Sequence, residues 1–266
     1  MDMGNGKVYF IGAGPGDPEL ITVKGKRIIE QADVIVYAGS LVNPKVIEER
    51  KPGACVHNSA LMTLEEIISI MEEAVKKGLM VARVHTGDPS IFGAIREQIE
   101  YLRKREIPFE IVPGVSSFLG AAASLSVEYT VPGISQTVIL TRKEGRTPVP
   151  PGQGLEELAS HRASMVIFLS TAMIQDVVEE LKKAYDESTP VAVVYRATWP
   201  DELVIRGTLA DIAGEVAEAG IERTALILVG NFLGEDYGRS ELYHPNFTHG
   251  FRQAQETPER VEGDGN

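Results

Sequence analysis

Short apolar runs alternate with helical patterns along the first half of this 266-residue chain, and this alternation restricts the fold more than any other feature. Five of these runs are predicted to be strands: 8–11, 34–37, 54–57, 81–85 and 109–112. Because each run is separated from the next by room for a helix, their order predicts a parallel sheet with helices on its faces.

The segment TLEEIISIMEEAVKKG, residues 63–78, gives the clearest helix prediction. Thr63 and Glu66 have the spacing of a capping box, in which each side chain bonds the other residue's backbone N–H. An apolar stripe at helical spacing follows, and Gly78 provides the expected C-terminal stop.

The second half predicts a different sheet. Its candidate strands are 137–141, 165–169, 191–195, 203–206 and 225–229. The connection RATWPD, residues 196–201, is too short for a parallel crossover, which needs a dozen or more residues. The third and fourth of these strands should therefore be antiparallel, and the second sheet mixed.

These patterns predict an α/β fold with two α/β domains. Residues 1–125 form an N-terminal domain on a mainly parallel five-stranded sheet, and residues 126–234 form a C-terminal domain on a mixed sheet. Residues 235–266 are polar and lack periodicity, so we expect a loosely ordered tail.

Charge and composition exclude several classes of function. A net charge of −12 argues against a nucleic-acid binder, which needs a basic surface. No apolar run reaches the roughly 18 residues of a membrane span, so we expect a cytoplasmic protein without a membrane partner. Cys55 is the single cysteine, and we expect it to be a buried, inert thiol; no Cys/His cluster suggests a metal site.

The glycine-rich stretch GAGPGDP, residues 12–18, follows the first predicted strand, where many enzymes bind a nucleotide phosphate. Asp17 stands where the dinucleotide fingerprint has its third glycine, and Pro15 removes a backbone donor. The second strand also lacks an acidic residue at its C-terminal end. A tight turn into a helix is favoured over a phosphate-binding loop.

Four motifs, IGAGPGDPELITVKG, VHTGDPSIFG, IVPGVSS and TALILVG, resemble those of the tetrapyrrole methylases, over residues 7–234. Within that family, QTVILTRKEGRTPVP and VVYRATWPDE resemble the branch that methylates C-11 of precorrin-4 or cobalt-precorrin-4 in cobalamin synthesis. The resemblance implies that S-adenosyl-L-methionine (SAM) binds in a trough between the two domains and leaves as S-adenosyl-L-homocysteine (SAH). It also implies a homodimer and a small-molecule tetrapyrrole substrate.

The resemblance assigns donor-binding residues by their positions in these motifs. They are Pro15, Thr86, Gly87, Asp88, Ile91, Phe92, Ser116, Ser117, Thr171, Ala172, Met173, Ala197, Thr224 and Ala225. Helix capping is an alternative role for Asp88, Ser116 and Ser117. Core packing is an alternative for Met173 and Ala225.

A macrocycle that carries many carboxylates needs cations, and Arg side chains bind carboxylates in a two-point fashion. The substrate-binding candidates are Asp17, which borders the same site, and Arg83, Arg96, Arg142, Lys143, Arg146 and Arg196. Taken alone, each of these cations is more often a solvated surface charge than a ligand contact.

No catalytic residue stands out. His85 and Asp88 are the two candidates, His85 for proton transfer, with a structural strand-end histidine as the alternative. Trp199 and Tyr195 are candidates for packing on the macrocycle, or for packing within the protein.

Other functions remain open at this point. They are methylation of precorrin-2, precorrin-3 or uroporphyrinogen III, methylation of a modified protein histidine, nicotinamide-dependent oxidoreduction, and tetrapyrrole carriage without catalysis. The missing third glycine and ribose-binding acid count against the nicotinamide enzyme.

Overall fold

The computed structural model describes residues 6–39, 41–235 and 240–254. Its first sheet has five strands in the order β3-β2-β4-β1-β5, and every neighbouring pair is parallel. The strands are β1 Lys7–Gly12, β2 Val34–Tyr37, β3 Cys55–Asn58, β4 Met80–His85 and β5 Phe109–Val112. The parallel sheet predicted from the alternation is confirmed.

The second sheet also has five strands, in the order β6-β7-β10-β8-β9. They are β6 Val138–Arg142, β7 Ser164–Phe168, β8 Pro190–Tyr195, β9 Leu203–Thr208 and β10 Ala225–Val229. β6 and β7 are parallel, whereas β10 is antiparallel to both β7 and β8. β8 and β9 are antiparallel, so the predictions of an antiparallel β8–β9 pair and of a mixed sheet are confirmed.

Seven α-helices lie in the described part of the chain. They are α1 Val23–Gln31, α2 Leu64–Lys76, α3 Arg96–Lys104, α4 Ser117–Leu125, α5 Leu155–Ala159, α6 Ile174–Leu181 and α7 Ile212–Glu218. The capping box predicted for Thr63 and Glu66 is present at the start of α2, with both reciprocal hydrogen bonds formed.

Both faces of the first sheet are buried, as expected for a parallel sheet. On one face, Val8 and Phe10 pack with residues of α2 and α3. On the other, Ile11 and Ile35 pack with Ile29 of α1.

Helix α4 connects the two halves of the chain and packs against the second sheet. Ala121 and Leu125 of this helix share a buried cluster with Val166 of β7 and Leu228 of β10. The other face of that sheet packs against α5, α6 and α7 through a separate cluster.

One expectation is wrong: Cys55 is exposed. It lies on β3, the edge strand of the first sheet, three of whose four residues are exposed. Of the tail predicted from residue 235 onward, 236–239 and 255–266 lie outside the described residues. Among the residues described, no helix has the length and apolar character needed to cross a membrane.

Candidate functional site

The C-terminal ends of three adjacent strands, β1, β4 and β5, form the centre of the candidate site. In a parallel sheet these ends meet at one edge, which is where ligands gather. Gly12, Gly87 and Gly114 are in direct contact there. A Cβ added to Gly12 would lie 2.5 Å from the Gly87 oxygen and 2.6 Å from Gly114 Cα, so the three loops pack backbone against backbone.

The glycine-rich stretch after β1, residues 12–18, which we call the opening loop, is hydrogen-bonded to its neighbours through its backbone. Gly14 N–H donates to the Gly87 carbonyl at 3.3 Å, and Gly87 N–H donates back to the Gly14 carbonyl at 2.8 Å. Ala13 N–H donates to the His85 carbonyl and Asp17 N–H to Thr198 Oγ1. These bonds use the N–H groups of Ala13, Gly14 and Asp17, whereas a phosphate-binding loop would point such groups at its ligand.

Asp88 holds the loops after β4 and β5 together. Its Oδ2 accepts from Gly114 N–H at 2.8 Å, and its Oδ1 accepts from the N–H and the hydroxyl of Ser90. Burial tends to raise the pKa of this carboxyl, but the hydrogen bonds from Ser90 and Gly114 outweigh it and leave the pKa below its ordinary value. The helix-capping alternative considered above is wrong for Asp88, because the next helix, α3, has Ile95 at its N-cap and Asp88 instead bonds the turn at Ser90 and the loop at Gly114. The carboxyl group is ionised at neutral pH.

The start of α4 faces Gly87. A Cβ added to Gly87 would lie 3.4 Å from both Ser116 Cα and Ser117 N, and Ser116 is buried. The first N–H groups of a helix have no partner within it, and they form a favourable environment for an anion. Thr86, Gly87, Asp88, Ser116 and Ser117 are therefore brought together.

A second group of donor-binding candidates meets in the second sheet, where the ends of β7 and β8 lie beside the beginning of β10. The register pairs Ala225 of β10 with Tyr195 of β8, so the beginning of β10 lies beside the end of β8. Thr171, just after β7, donates from Oγ1 to the Ala225 carbonyl at 3.2 Å. Ala197 is buried, and the preceding residue's N–H bonds the Thr224 carbonyl at 2.9 Å.

Ala172 and Met173 belong to the same 3-10 turn as Thr171. Ala172 is exposed, and Met173 is half-buried. A Cβ added to Gly145 would lie 3.4 Å from Met173 Cε, so the loop after β6 covers this methionine.

Two contacts bring the donor-binding candidates of the first sheet and those of the second sheet to one junction between the sheets. The loop after β4 reaches the second sheet, where the Phe92 and Phe168 rings are 5.0 Å apart and Ile91 packs against the buried cluster of α4. Pro15 of the opening loop packs against α4, since a Cβ added to Gly120 would lie 2.9 Å from Pro15 Cβ.

Most of the candidate cations are engaged within the chain. The Arg142 guanidinium donates to carbonyls of its own loop, at Lys143, Thr147 and Pro148. Lys143 forms an ion pair with Glu180.

Arg96, Arg196 and Asp17 are engaged as well. Arg96 pairs with a glutamate one helical turn away, and Arg196 pairs with Asp201 at 2.5 Å. Asp17 caps the turn that follows it by accepting from Glu19 N–H. Arg146, in contrast, is exposed and has no ion pair within the described ranges, which leaves it the freest candidate to meet a carboxylate.

Arg83 is enclosed in the core of the first sheet, with 5% of its surface exposed. Its Nε–H donates to Gln98 Oε1, and its Nη1 donates to the Val36 carbonyl and to Ser59 Oγ, each at 3.2 Å. Burial lowers the pKa of its guanidinium to about 10. The side chain therefore joins β2 to α3, and this geometry favours a structural role over contact with a ligand.

His85 lies two residues further along β4 and is also buried. Its Nε2 has no hydrogen-bond partner among the residues described. Burial, followed by the positive charge of Arg83, lowers the pKa of its ring to about 3. The imidazole is thus neutral at physiological pH.

This histidine predicts a specific pH dependence of stability. Because its pKa is lower in the folded state than its ordinary 6.5, the unfolded chain binds the additional proton as the pH falls below 6.5, and stability is lost. Between pH 6.5 and pH 5, wild type should lose about 2 kcal/mol more than the His85→Leu variant. Urea unfolding at the two pH values measures this, with the exposed His161→Leu as control. An equal loss in wild type and His85→Leu would contradict it.

Three residues that hold the opening loop were not assigned this role from the sequence. Asn43, which is buried, donates from Nδ2 to the Gly16 carbonyl at 2.8 Å. Thr198 and Trp199 bond the loop from the second sheet. Their partners are remote in sequence, so no spacing signals these contacts, whereas Gly114 could have been singled out within the motif IVPGVSS.

The fold and the site motifs define a known class of protein. The sequence profile of the family Tetrapyrrole (Corrin/Porphyrin) Methylases matches residues 7–213. The chain therefore belongs to the tetrapyrrole methylases.

Individual relatives cover nearly the whole chain. The cobalt-precorrin-4 C(11)-methyltransferase of Methanocaldococcus jannaschii is 58% identical over 252 residues, which are 94% of this chain and 97% of the relative. The precorrin-4 C(11)-methyltransferase of Pseudomonas aeruginosa is 52% identical over 246 residues, 92% and 98% of the two chains.

Solved structures agree with the fold. The X-ray structure of the cobalt precorrin-4 methyltransferase CbiF superposes with a TM-score of 0.84 at 49% identity, covering 86% of this chain and 96% of that one. The uroporphyrin-III C-methyltransferase from Thermus thermophilus, solved with S-adenosylhomocysteine, gives 0.70 at 27% identity, covering 85% and 93%.

Proposed function

We propose that this chain transfers a methyl group from SAM to C-11 of cobalt-precorrin-4 or precorrin-4, giving the corresponding precorrin-5 in cobalamin biosynthesis. The observation that carries the proposal is the meeting of the donor-motif loops from both sheets at one junction. High identity to relatives named for this reaction supports the acceptor and the position.

The residues at the junction suit SAM. The backbone N–H groups at the start of α4, at Ser117 and at its N-cap Ser116, would hold the methionine carboxylate. The ionised carboxylate of Asp88 would attract the ammonium group beside it. Thr171, Ala197 and Thr224 would hold the adenosine from the second sheet.

When bound, SAM supplies an electrophilic methyl group on a sulfonium sulfur. The chain's own contribution is to hold donor and acceptor in line, which can supply about 7–11 kcal/mol in well-oriented systems. His85 is enclosed and neutral, and Asp88 already accepts three hydrogen bonds within its loops. We therefore assign positioning rather than proton transfer to these residues.

The acceptor side depends on the loop after β6. Arg142 shapes this loop by bonding three of its carbonyls, and Arg146 is left exposed on it. Because the loop covers Met173, a carboxylate bound to Arg146 would lie near the donor site. We propose Arg146 as a contact for the substrate and Arg142 as the residue that presents it.

The reaction is tested by incubating the protein with methyl-¹³C-labelled SAM and either cobalt-precorrin-4 or precorrin-4. The expected product carries the label at C-11, located by NMR. Label at another ring carbon would contradict the specific reaction but not methyl transfer. A product without label would contradict both transfer to C-11 and methyl transfer from SAM.

Cofactor choice gives an independent prediction. Calorimetry is expected to detect binding of SAH and no binding of NAD at the same concentration, because the backbone N–H groups of Ala13, Gly14 and Asp17 are already bonded within the chain. Binding of NAD without binding of SAH would contradict the proposed function and favour an oxidoreductase.

The homodimer stays a prediction from the family resemblance. Light scattering should give twice the 28.9 kDa mass of the chain.

A further inference from the structure

The single tryptophan of this chain, Trp199, contacts the opening loop instead of standing free. Its indole N–H donates to the Pro15 carbonyl at 3.0 Å. A Cβ added to Gly16 would lie 2.0 Å from Trp199 Cδ1, and its three nearest atoms would all belong to the indole. The ring therefore occupies the space of the side chain that residue 16 lacks.

Neighbouring residues of the β8–β9 turn extend this contact. Thr198 Oγ1 accepts from Asp17 N–H at 2.9 Å. Glu202 Oε2 accepts from Thr198 N–H at 2.5 Å and from the Ser124 hydroxyl of α4 at 2.6 Å. We call this set, the loop 15–17 with Ser124, Thr198, Trp199 and Glu202, the inter-sheet clamp.

The backbone of the turn is strained where the clamp forms. Arg196 has φ of +49° and Thr198 has φ of +67°, in the left-handed region that a β-branched residue rarely adopts. The Arg196 guanidinium lies 4.0 Å from the Trp199 ring. Strained residues persist where the surroundings impose the conformation, and they cluster at functional sites.

We propose that Trp199 is a positioning residue for methyl transfer, which fixes the opening loop of the first sheet against the second sheet. This inference rests on the proposed function. Of the two alternatives for Trp199, it favours packing within the protein over packing on the macrocycle, because the indole N–H and one side of the ring are used within the chain. Small displacements between the sheets would change the alignment of donor and acceptor, and misplacement by about 1 Å can cost a hundredfold in rate.

The first test is Trp199→Phe, which keeps a ring but removes the N–H that bonds Pro15. We expect kcat to fall about tenfold, with KM for SAM changed less than about threefold. Tyr185→Phe is the matched control, because its hydroxyl donates one buried hydrogen bond to the Ala163 carbonyl in the second domain. It should lower the melting temperature and leave kcat unchanged.

The second test is a double-mutant cycle with Gly16→Ala, whose methyl group would displace the indole. Since Trp199 is the only tryptophan, Gly16→Ala should shift the fluorescence emission without any ligand present. It should lower kcat about tenfold in the wild-type background but less than about twofold in Trp199→Ala, where the clash is absent.

The outcomes separate the two proposals. A wild-type protein that transfers no methyl group overturns both. If wild type is active and Trp199→Phe behaves like Tyr185→Phe, with a lower melting temperature and an unchanged kcat, this inference alone is overturned. This inference alone is also overturned if Gly16→Ala leaves the fluorescence emission unchanged, or if it lowers kcat equally in wild type and in Trp199→Ala.

Discussion

Replacing Gly12 with alanine is expected to abolish SAH binding and to destabilise the protein by about 3 kcal/mol. The added Cβ would lie 2.5 Å from the Gly87 carbonyl oxygen, 2.6 Å from Gly114 Cα and 2.7 Å from Gly114 N. All three atoms belong to the backbone, so no side-chain rotation relieves the clash. The strand ends must separate, and these ends form the first-sheet half of the proposed donor site.

Calorimetry with SAH and urea unfolding measure the two effects. Gly214→Ala is the control, because a Cβ at that position in α7 meets nothing within 4 Å. Removing a glycine from a helix should leave stability unchanged or slightly higher. A Gly12→Ala protein that binds SAH with wild-type affinity would contradict the role assigned to the three packed glycines.

Replacing Asp88 with alanine is expected to weaken SAH binding about tenfold to a hundredfold. The substitution removes the acceptor for Gly114 N–H and for both donors of Ser90, so the loops after β4 and β5 lose their connection. Asp88→Asn should lie between alanine and wild type, because its single carbonyl oxygen cannot replace both carboxylate oxygens.

Asp211→Asn provides a matched control for the loss of a carboxylate that accepts hydrogen bonds from a neighbouring loop residue. Asp211 accepts from Thr208 N–H and from the Thr208 hydroxyl, at the N-terminus of α7. This variant should change stability without changing SAH affinity. Equal SAH affinity in wild type and Asp88→Ala would refute the function of Asp88 at the donor site.

The pKa of Asp88 sets the pH range of its contribution. Its folded pKa lies below the ordinary 3.8, so the interactions of the carboxylate are fully present above that value. They are lost as the pH falls below 3.8 toward the folded pKa. Affinity for SAH should therefore show no inflection from this group between pH 5 and pH 8.

Strand positions and directions were largely predictable because they depend on local pattern. The strand predicted at 109–112 has those bounds, and the one predicted at 8–11 extends by one residue at each end. The short connection after Tyr195 predicted the antiparallel β8–β9 pair, since so short a segment cannot cross the sheet.

The roles of the charged residues were less predictable. Nothing near Arg83 in the sequence shows that Gln98, Ser59 and the Val36 carbonyl will surround its guanidinium. Arg142 resembles a free loop cation in the sequence, but the loop folds back so that three of its carbonyls bond the side chain. The charge of a side chain is known from the sequence, whereas its hydrogen-bond partners depend on which residues the fold places around it.

The sequence by itself determined the strands of the two sheets, the parallel order of the first, the antiparallel β8–β9 pair of the second and the motifs at the strand ends, because burial periodicity and connection length act over a few residues. Only the tertiary structure decided which polar groups at those ends are already bonded within the chain. Trp199 and Pro15 are 184 positions apart and form a hydrogen bond only when the two sheets meet. Hydrogen bonds and close packing act over a few ångströms, and the distance in space between remote residues is fixed by the whole fold.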